Sequence, residues 1–139
     1  MPILNTYLNF PGTTEEAFNF YKSVFGGEFS FIQRFKDTPE GADMPEAEKE
    51  KIMHVGLPIG NGGSLMATDV VPSQGFSLTP GNNYNLCISA ESEEEAEKLF
   101  NGLSAGGTIA VPLAKASWGS YFGMFNDKFG ISWMINYDY

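Results

Sequence analysis

A capped helix is written twice into this chain, and that repeat constrains the fold more than any other feature. In the first copy Thr13-Thr14-Glu15-Glu16-Ala17 leads into Phe18, Phe20-Tyr21 and Val24-Phe25 and stops at Gly26-Gly27. In the second, Ser92-Glu93-Glu94-Glu95-Ala96 leads into Leu99-Phe100 and Leu103 and stops at Gly106-Gly107. An offset of 79 aligns Thr13 with Ser92, Glu16 with Glu95, Ala17 with Ala96 and Gly27 with Gly106. Each copy places Ser or Thr three residues before Glu, the capping-box spacing, in which the two side chains satisfy orphan backbone N–H groups reciprocally. Apolar residues then follow at helical spacing, and glycine can take the left-handed conformation that ends a helix. Two helices with aligned caps and stops indicate a duplication.

The flanking segments agree. Leu4, Thr6, Leu8 and Phe10 alternate with Ile3, Asn5, Tyr7 and Asn9, and Leu86, Ile88 and Ala90 alternate with Asn85, Cys87 and Ser89. Period-two alternation predicts a strand with one face on a helix and the other facing something less apolar. Matching the apolar faces sets Leu8 opposite Leu86 and Phe10 opposite Ile88, while Asn5 matches Asn85 at an offset of 80. Three strands are predicted after each helix: 28–35, 51–59 and 64–69, then 108–115, 120–126 and 131–137. Gly60-Asn61-Gly62-Gly63 and Asp127-Lys128-Phe129-Gly130 supply hairpin turns. Segment 37–50, with two prolines and six acidic residues, reads as a solvated excursion, and 71–83 as a linker. The expectation is an α+β fold, one domain over 1–139 made of two tandem βαβββ modules, 1–75 and 80–139. Their strands form a curved, cup-shaped mixed sheet with the helices outside.

Composition limits the partners. The chain has 139 residues, 42% of them hydrophobic, with 17 acidic against 8 basic side chains and a formal charge of −9. There is apolar mass enough for a core, whereas phosphate-backbone binding needs a basic stripe that scattered Lys and Arg do not make. Nucleic acid and anionic membrane surfaces are excluded as main partners. No apolar run approaches the ~20 residues that span a bilayer. The start, Met1-Pro2-Ile3-Leu4-Asn5, lacks a basic region and a small-residue cleavage site, so no signal peptide is expected. One cysteine, Cys87, cannot form an internal disulfide, and a cytoplasmic home is the simplest expectation.

The order and spacing of certain segments carry a family resemblance. They are Tyr7-Leu8-Asn9-Phe10-Pro11-Gly12, Glu16-Ala17, Phe20-Tyr21 and Phe25-Gly26-Gly27-Glu28, then Ile52-Met53-His54 and Leu65-Met66-Ala67-Thr68-Asp69. Trp118-Gly119 and Asp127-Lys128-Phe129-Gly130-Ile131-Ser132-Trp133 complete the set. The chain resembles the vicinal-oxygen-chelate superfamily of glyoxalases, bleomycin-resistance proteins and extradiol dioxygenases, and within it the PhnB-like branch, whose members are sometimes labelled demethylubiquinone-methyltransferase-like. The resemblance implies a cup holding a divalent metal on the first and fourth strands of each module. Here those positions fall at Asn5, Asn85, Met66 (or Ala67) and Met134. Zinc prefers imidazole, thiolate or carboxylate, and magnesium or manganese oxygen-rich sites. Two amides and two thioethers suit neither, so no metal and no cofactor is expected. No strand–glycine-loop–helix unit offers a methyltransferase cofactor site.

His54, the single histidine, is a candidate general base or hydrogen-bond donor lining the cup, or else an imidazole held by its sheet neighbours. Asp69 either orients His54 or pairs with a cationic group, or accepts backbone hydrogen bonds at a strand end. Asn5, Tyr7, Met66, Asn85 and Met134 are expected to line the cup, Asn5, Asn85, Met66 and Met134 approaching one another across a pseudo-twofold axis, with Trp118 and Tyr121 nearby; Phe122 reads as core and Cys87 as a small buried residue. Two functions stand open. One is a metal-free, bleomycin-resistance-like small-molecule binder, as a homodimer. The other is a metal-assisted lyase, isomerase or dioxygenase with a displaced site around His54 and Asp69.

Overall fold

The structure, a computed structural model, describes residues 1–60, 62–75 and 77–139. Its elements are β1 (Thr6–Phe10), α1 (Thr14–Phe25), β2 (Phe31–Arg34), a short α2 (Glu46–Lys49), β3 (Ile52–Ile59) and β4 (Gly63–Asp69), then β5 (Leu86–Ser89), α3 (Glu93–Ser104), β6 (Thr108–Lys115), β7 (Ser120–Asn126) and β8 (Ser132–Asp138). The chain divides into two compact units, Met1–Thr79 and Pro80–Tyr139. Each is a βαβββ module with a four-stranded mixed sheet, ordered β1-β4-β3-β2 and β5-β8-β7-β6. In both, the first strand lies parallel to the fourth and the remaining pairs are antiparallel.

Alternation explains the packing of the first module. Leu8 and Phe10, Val55 and Leu57, and Leu65 and Ala67 are buried on one face of the sheet, against Ala17, Phe18 and Tyr21 of α1. The Phe18 ring meets Phe10 edge-on at 6.3 Å and Tyr21 at 5.5 Å, a geometry the aromatic quadrupole favours. The second module repeats the arrangement with Ala96, Leu99, Phe100 and Leu103 of α3 over Phe125, Trp133 and Ile135. Each such large apolar side chain withdrawn from water contributes roughly 2 kcal/mol. Gly123 leaves room for the Phe100 ring, since a Cβ there would lie 2.6 Å from it.

The pairing registers revise the internal alignment. Leu8 lies level with Ala67 and Ile88 with Ile135, while Tyr7 lies level with Met66 and Cys87 with Met134. Leu8 therefore corresponds to Ile88, not Leu86, and one offset of 80 serves the whole first strand of each module.

The two helix starts also differ from expectation. Ser92 caps α3, its Oγ accepting the Glu95 N–H at 3.0 Å, and Glu95 Oε1 accepts the Glu91 N–H at 3.0 Å. Thr13 makes no side-chain cap bond. At α1 the carboxylate of Asp69 does the work instead: Oδ1 accepts the Thr14 N–H at 2.9 Å and Oδ2 the Ile52 N–H at 2.8 Å. One buried side chain thus joins α1, β3 and β4. Segment 37–50 is more than a solvated excursion. Met44 from it packs with Phe35, Val71 and Met53 in a small second core, and buried Glu48 accepts the Ser73 N–H at 3.0 Å. In the β7–β8 turn Asp127 Oδ1 accepts the Phe129 and Ile131 N–H groups while Oδ2 accepts the Trp133 indole N–H at 2.8 Å. Gly130 there takes φ +89°. Of the matching turn in the first module, Asn61 lies outside the described residues.

Candidate functional site

Each sheet keeps one face turned away from its own helix, and the alternation that buries Leu8 and Ala67 places Tyr7 and Met66 there. On this open face of the first module Tyr7, Met66, Gly56 and Phe31 form one row across β1, β4, β3 and β2. His54 lies level with Gln33 and, by the same alternation, shares this face with Thr68. The His54 ring is 4.4 Å from the Phe31 ring at 69° and 5.4 Å from the Tyr7 ring at 40°. Its Nε2 is buried and has no hydrogen-bond partner among the described residues. Burial pushes the Tyr7 hydroxyl above its ordinary acidity range, with the Thr68 hydroxyl beside it acting in the opposite direction.

The second module presents the equivalent row as Cys87, Met134, Met124 and Val111. Next to it Phe122 lies level with Asn136, and its ring meets Trp118 edge-on at 5.6 Å. Ser120 Oγ and Asn136 Nδ2 both donate to Asp138 Oδ1, at 2.6 and 3.0 Å, and together hold that carboxyl below its usual range. Burial raises the Cys87 thiol, and the negative Asp138 raises it further.

Several expectations change against this geometry. Asp69 and His54 do not share a site: Asp69 is buried on the face that carries α1, both its oxygens engaged by backbone, whereas His54 is on the opposite face. Asn5 and Asn85 are equivalent, but both precede their strands and are exposed. The residues level with Met66 and Met134 are Tyr7 and Cys87. Tyr121 falls on the helix side, level with Tyr137, and donates to Glu97 of α3 at 2.9 Å, a bond that raises its pKa. Trp118 is exposed in the β6–β7 turn. Cys87 is exposed rather than buried, and Phe122 is half-buried on the open face rather than core. Phe31 was missed in the sequence because its strand is short and carries no clear alternation. The one hint was Gly56, whose Cβ would stand 2.6 Å from the Phe31 ring.

The divalent metal that the sequence resemblance implies can be tested against these positions. In the first module these positions supply a phenol and a thioether, Tyr7 and Met66, and in the second a thiol and a thioether, Cys87 and Met134, with the Asn5 and Asn85 amides two residues earlier in the chain. Hard or borderline divalent cations are held by carboxylates, imidazoles or several thiolates. Among the described residues no three His, Cys, Asp or Glu side chains group closely enough to hold a metal ion. The residues do not fit the group.

A cavity of about 420 Å³ lies elsewhere in the first module, beside the start of α1. Several of its charged side chains are already engaged within the fold. Arg34 binds Glu15 through two hydrogen bonds, at 3.0 and 2.5 Å, and Lys51 Nζ donates to the Gly12 carbonyl at 3.1 Å.

Comparison with known proteins agrees with the fold. The family model described as 3-demethylubiquinone-9 3-methyltransferase matches residues 3–136. Protein PA1353 of Pseudomonas aeruginosa superposes with a TM-score of 0.86 at 37% identity, over 99% of this chain and 98% of that one. A PhnB protein of Bacillus cereus gives 0.77 at 31% identity, over 98% and 99%. A glyoxalase/bleomycin resistance protein/dioxygenase family enzyme of Burkholderia phytofirmans shares the fold, with a TM-score of 0.62 at 20% identity over 96% and 98%. The repeated βαβββ module, the matched strand registers and a family match over almost the whole chain give one conclusion: the chain belongs to the PhnB-like, 3-demethylubiquinone-9 3-methyltransferase family.

Proposed function

We propose that this protein binds a small, neutral or weakly polar, partly aromatic molecule on the open faces of its sheets, without the divalent metal of the superfamily, and that it does so as a homodimer. The observation that carries the reading is the residue set at the paired first- and fourth-strand positions. Tyr7 with Met66 and Cys87 with Met134 offer adaptable, apolar contact surface, not hard-cation donors. The exposed apolar residues on the outer strands, Phe31 and Ile32 on β2 and Ile109 and Val111 on β6, support self-association. A lone unpaired cysteine fits a reducing compartment. The family's methyltransferase name adds no activity here, because fold and name do not fix chemistry and the residues supply no glycine-rich cofactor loop. Nothing in the geometry favours a displaced metal-assisted site, since Asp69 and His54 lie on opposite faces of the sheet.

The test is elemental analysis of protein purified without a histidine tag, combined with thermal-shift screening of small aromatic compounds. The expected result is well below stoichiometric zinc, manganese and iron, and a rise in Tm with some aromatic compounds that added zinc or manganese does not produce. Stoichiometric metal in the purified protein would overturn the reading.

A further inference from the structure

The half-buried His54 imidazole is flanked on the open face by two aromatic rings, with its Nε2 buried beneath them. Phe31 and Tyr7 both lean over it, from the outermost strands on either side of the sheet. Gly56 keeps its place clear for the Phe31 ring, since a Cβ there would lie 2.6 Å from that ring. Both cover residues are themselves exposed, Tyr7 at 43% and Phe31 at 37%, and neither belongs to the core, so a ring can leave at the cost, for Tyr7, of its hydrogen bond with Thr68. Beneath them Nε2 is buried with no partner, a polar group that gains once another takes up its hydrogen bond. The equivalent position in the second module is Phe122, so this polar atom is particular to the first.

We infer that His54 Nε2 is the polar anchor for a neutral phenol-like aromatic ligand, which takes the place of the Tyr7 or Phe31 ring over the imidazole. This rests on the proposal of small-molecule binding at the open face and specifies its ligand class. A phenolic hydroxyl both donates and accepts, so it serves either imidazole tautomer. The space a departing ring leaves is itself ring-shaped, Met66 beside it adapts to the occupant, and the net charge of −9 disfavours an anion.

The test uses the full chain, whose single histidine gives one set of imidazole signals in long-range proton–nitrogen NMR. The probes are p-cresol, toluene as the same ring without the hydroxyl, and 4-methylcyclohexanol as the hydroxyl without the ring. We expect p-cresol to move the His54 Nε2 signal saturably and to bind about tenfold tighter than either control, the worth of one hydrogen bond. His54→Phe, the residue of the sister module, brings p-cresol down to the toluene level. Tyr7→Ala, which leaves the core intact, changes the ring-current shift of His54 before any ligand is added. Equal affinity for p-cresol and toluene, or a p-cresol preference that survives His54→Phe, overturns the inference. Binding that moves the Met124 and Met134 methyl signals and leaves His54 still overturns it too, while leaving small-molecule binding at the open faces in place.

Discussion

Asp69 shows how much one side chain can carry when it holds backbone rather than substrate. Its two oxygens satisfy the Thr14 and Ile52 N–H groups in the interior, and removing them leaves two buried donors unpaired. Asp69→Ala should therefore cost about 2–4 kcal/mol in urea unfolding, with Asp69→Asn, which keeps one acceptor, costing less. Ligand binding by the folded fraction should be unchanged, and an intact fold with lost binding would return Asp69 to the site. The Glu15–Arg34 pair gives a weaker, pH-dependent contribution. The hydrogen bond from Arg34 holds the Glu15 carboxyl below its ordinary 4.5, so the folded state favours the charged form. That stability is fully present above the ordinary value and is lost as pH falls through the folded one. The pair is partly exposed, at 27% and 47%, so Glu15→Gln should cost at most about 1 kcal/mol at pH 7. The gap between variant and wild type should narrow progressively as pH falls below the ordinary 4.5 and through the lowered folded value, read from urea midpoints across that acid range.

At the scale of elements, the two copies of the helix start look alike in sequence and differ in mechanism. Ser92 makes the cap bond that Thr13 does not. Ser92→Ala should destabilise by about 1 kcal/mol, whereas Thr13→Ala should cost only a few tenths, because Asp69 already holds the first amide of α1. Equal losses would mean that Thr13 caps α1 after all. The outer strands are the other contrast. β6 runs eight residues with nearly every side chain exposed, and β2 is only four residues long. Long exposed edges invite pairing, though the Arg34–Glu15 pair limits β2 and Pro112 with two register shifts limits β6.

For the whole molecule, those edges are where the proposed homodimer should be decided. On β6, Ile109 is 51% and Val111 40% exposed. Light scattering at tens of micromolar should give about 30 kDa, twice the chain's 15.2 kDa, and a doubly charged variant, Ile109→Lys with Val111→Lys, should give about 15 kDa. A wild-type mass near that of one chain would remove the dimer from the proposal. Among the described residues no helix is long and apolar enough to cross a membrane.

The local signals that made the fold legible were periodicities: apolar residues at helical spacing between a cap and a glycine, and strict alternation in the flanking strands. These depend on neighbours a few residues apart, so β6 and β7 fall within the bounds read from spacing alone, and Tyr7, Met66 and Met134 emerge on an open face. Register is a different matter, because it is set between strands distant in sequence and a shift of two residues keeps every side chain on its face. Only the tertiary pairing could show that Cys87, not Asn85, stands level with Met134, or that Leu8 answers Ile88. The same holds for His54 and Asp69, 15 positions apart and both on plausible strands. Whether two such residues share a face depends on where each strand's alternation meets the helix. That was decided by α1, which drew Asp69 inward to its first amide and left His54 on the other side beneath two aromatic rings.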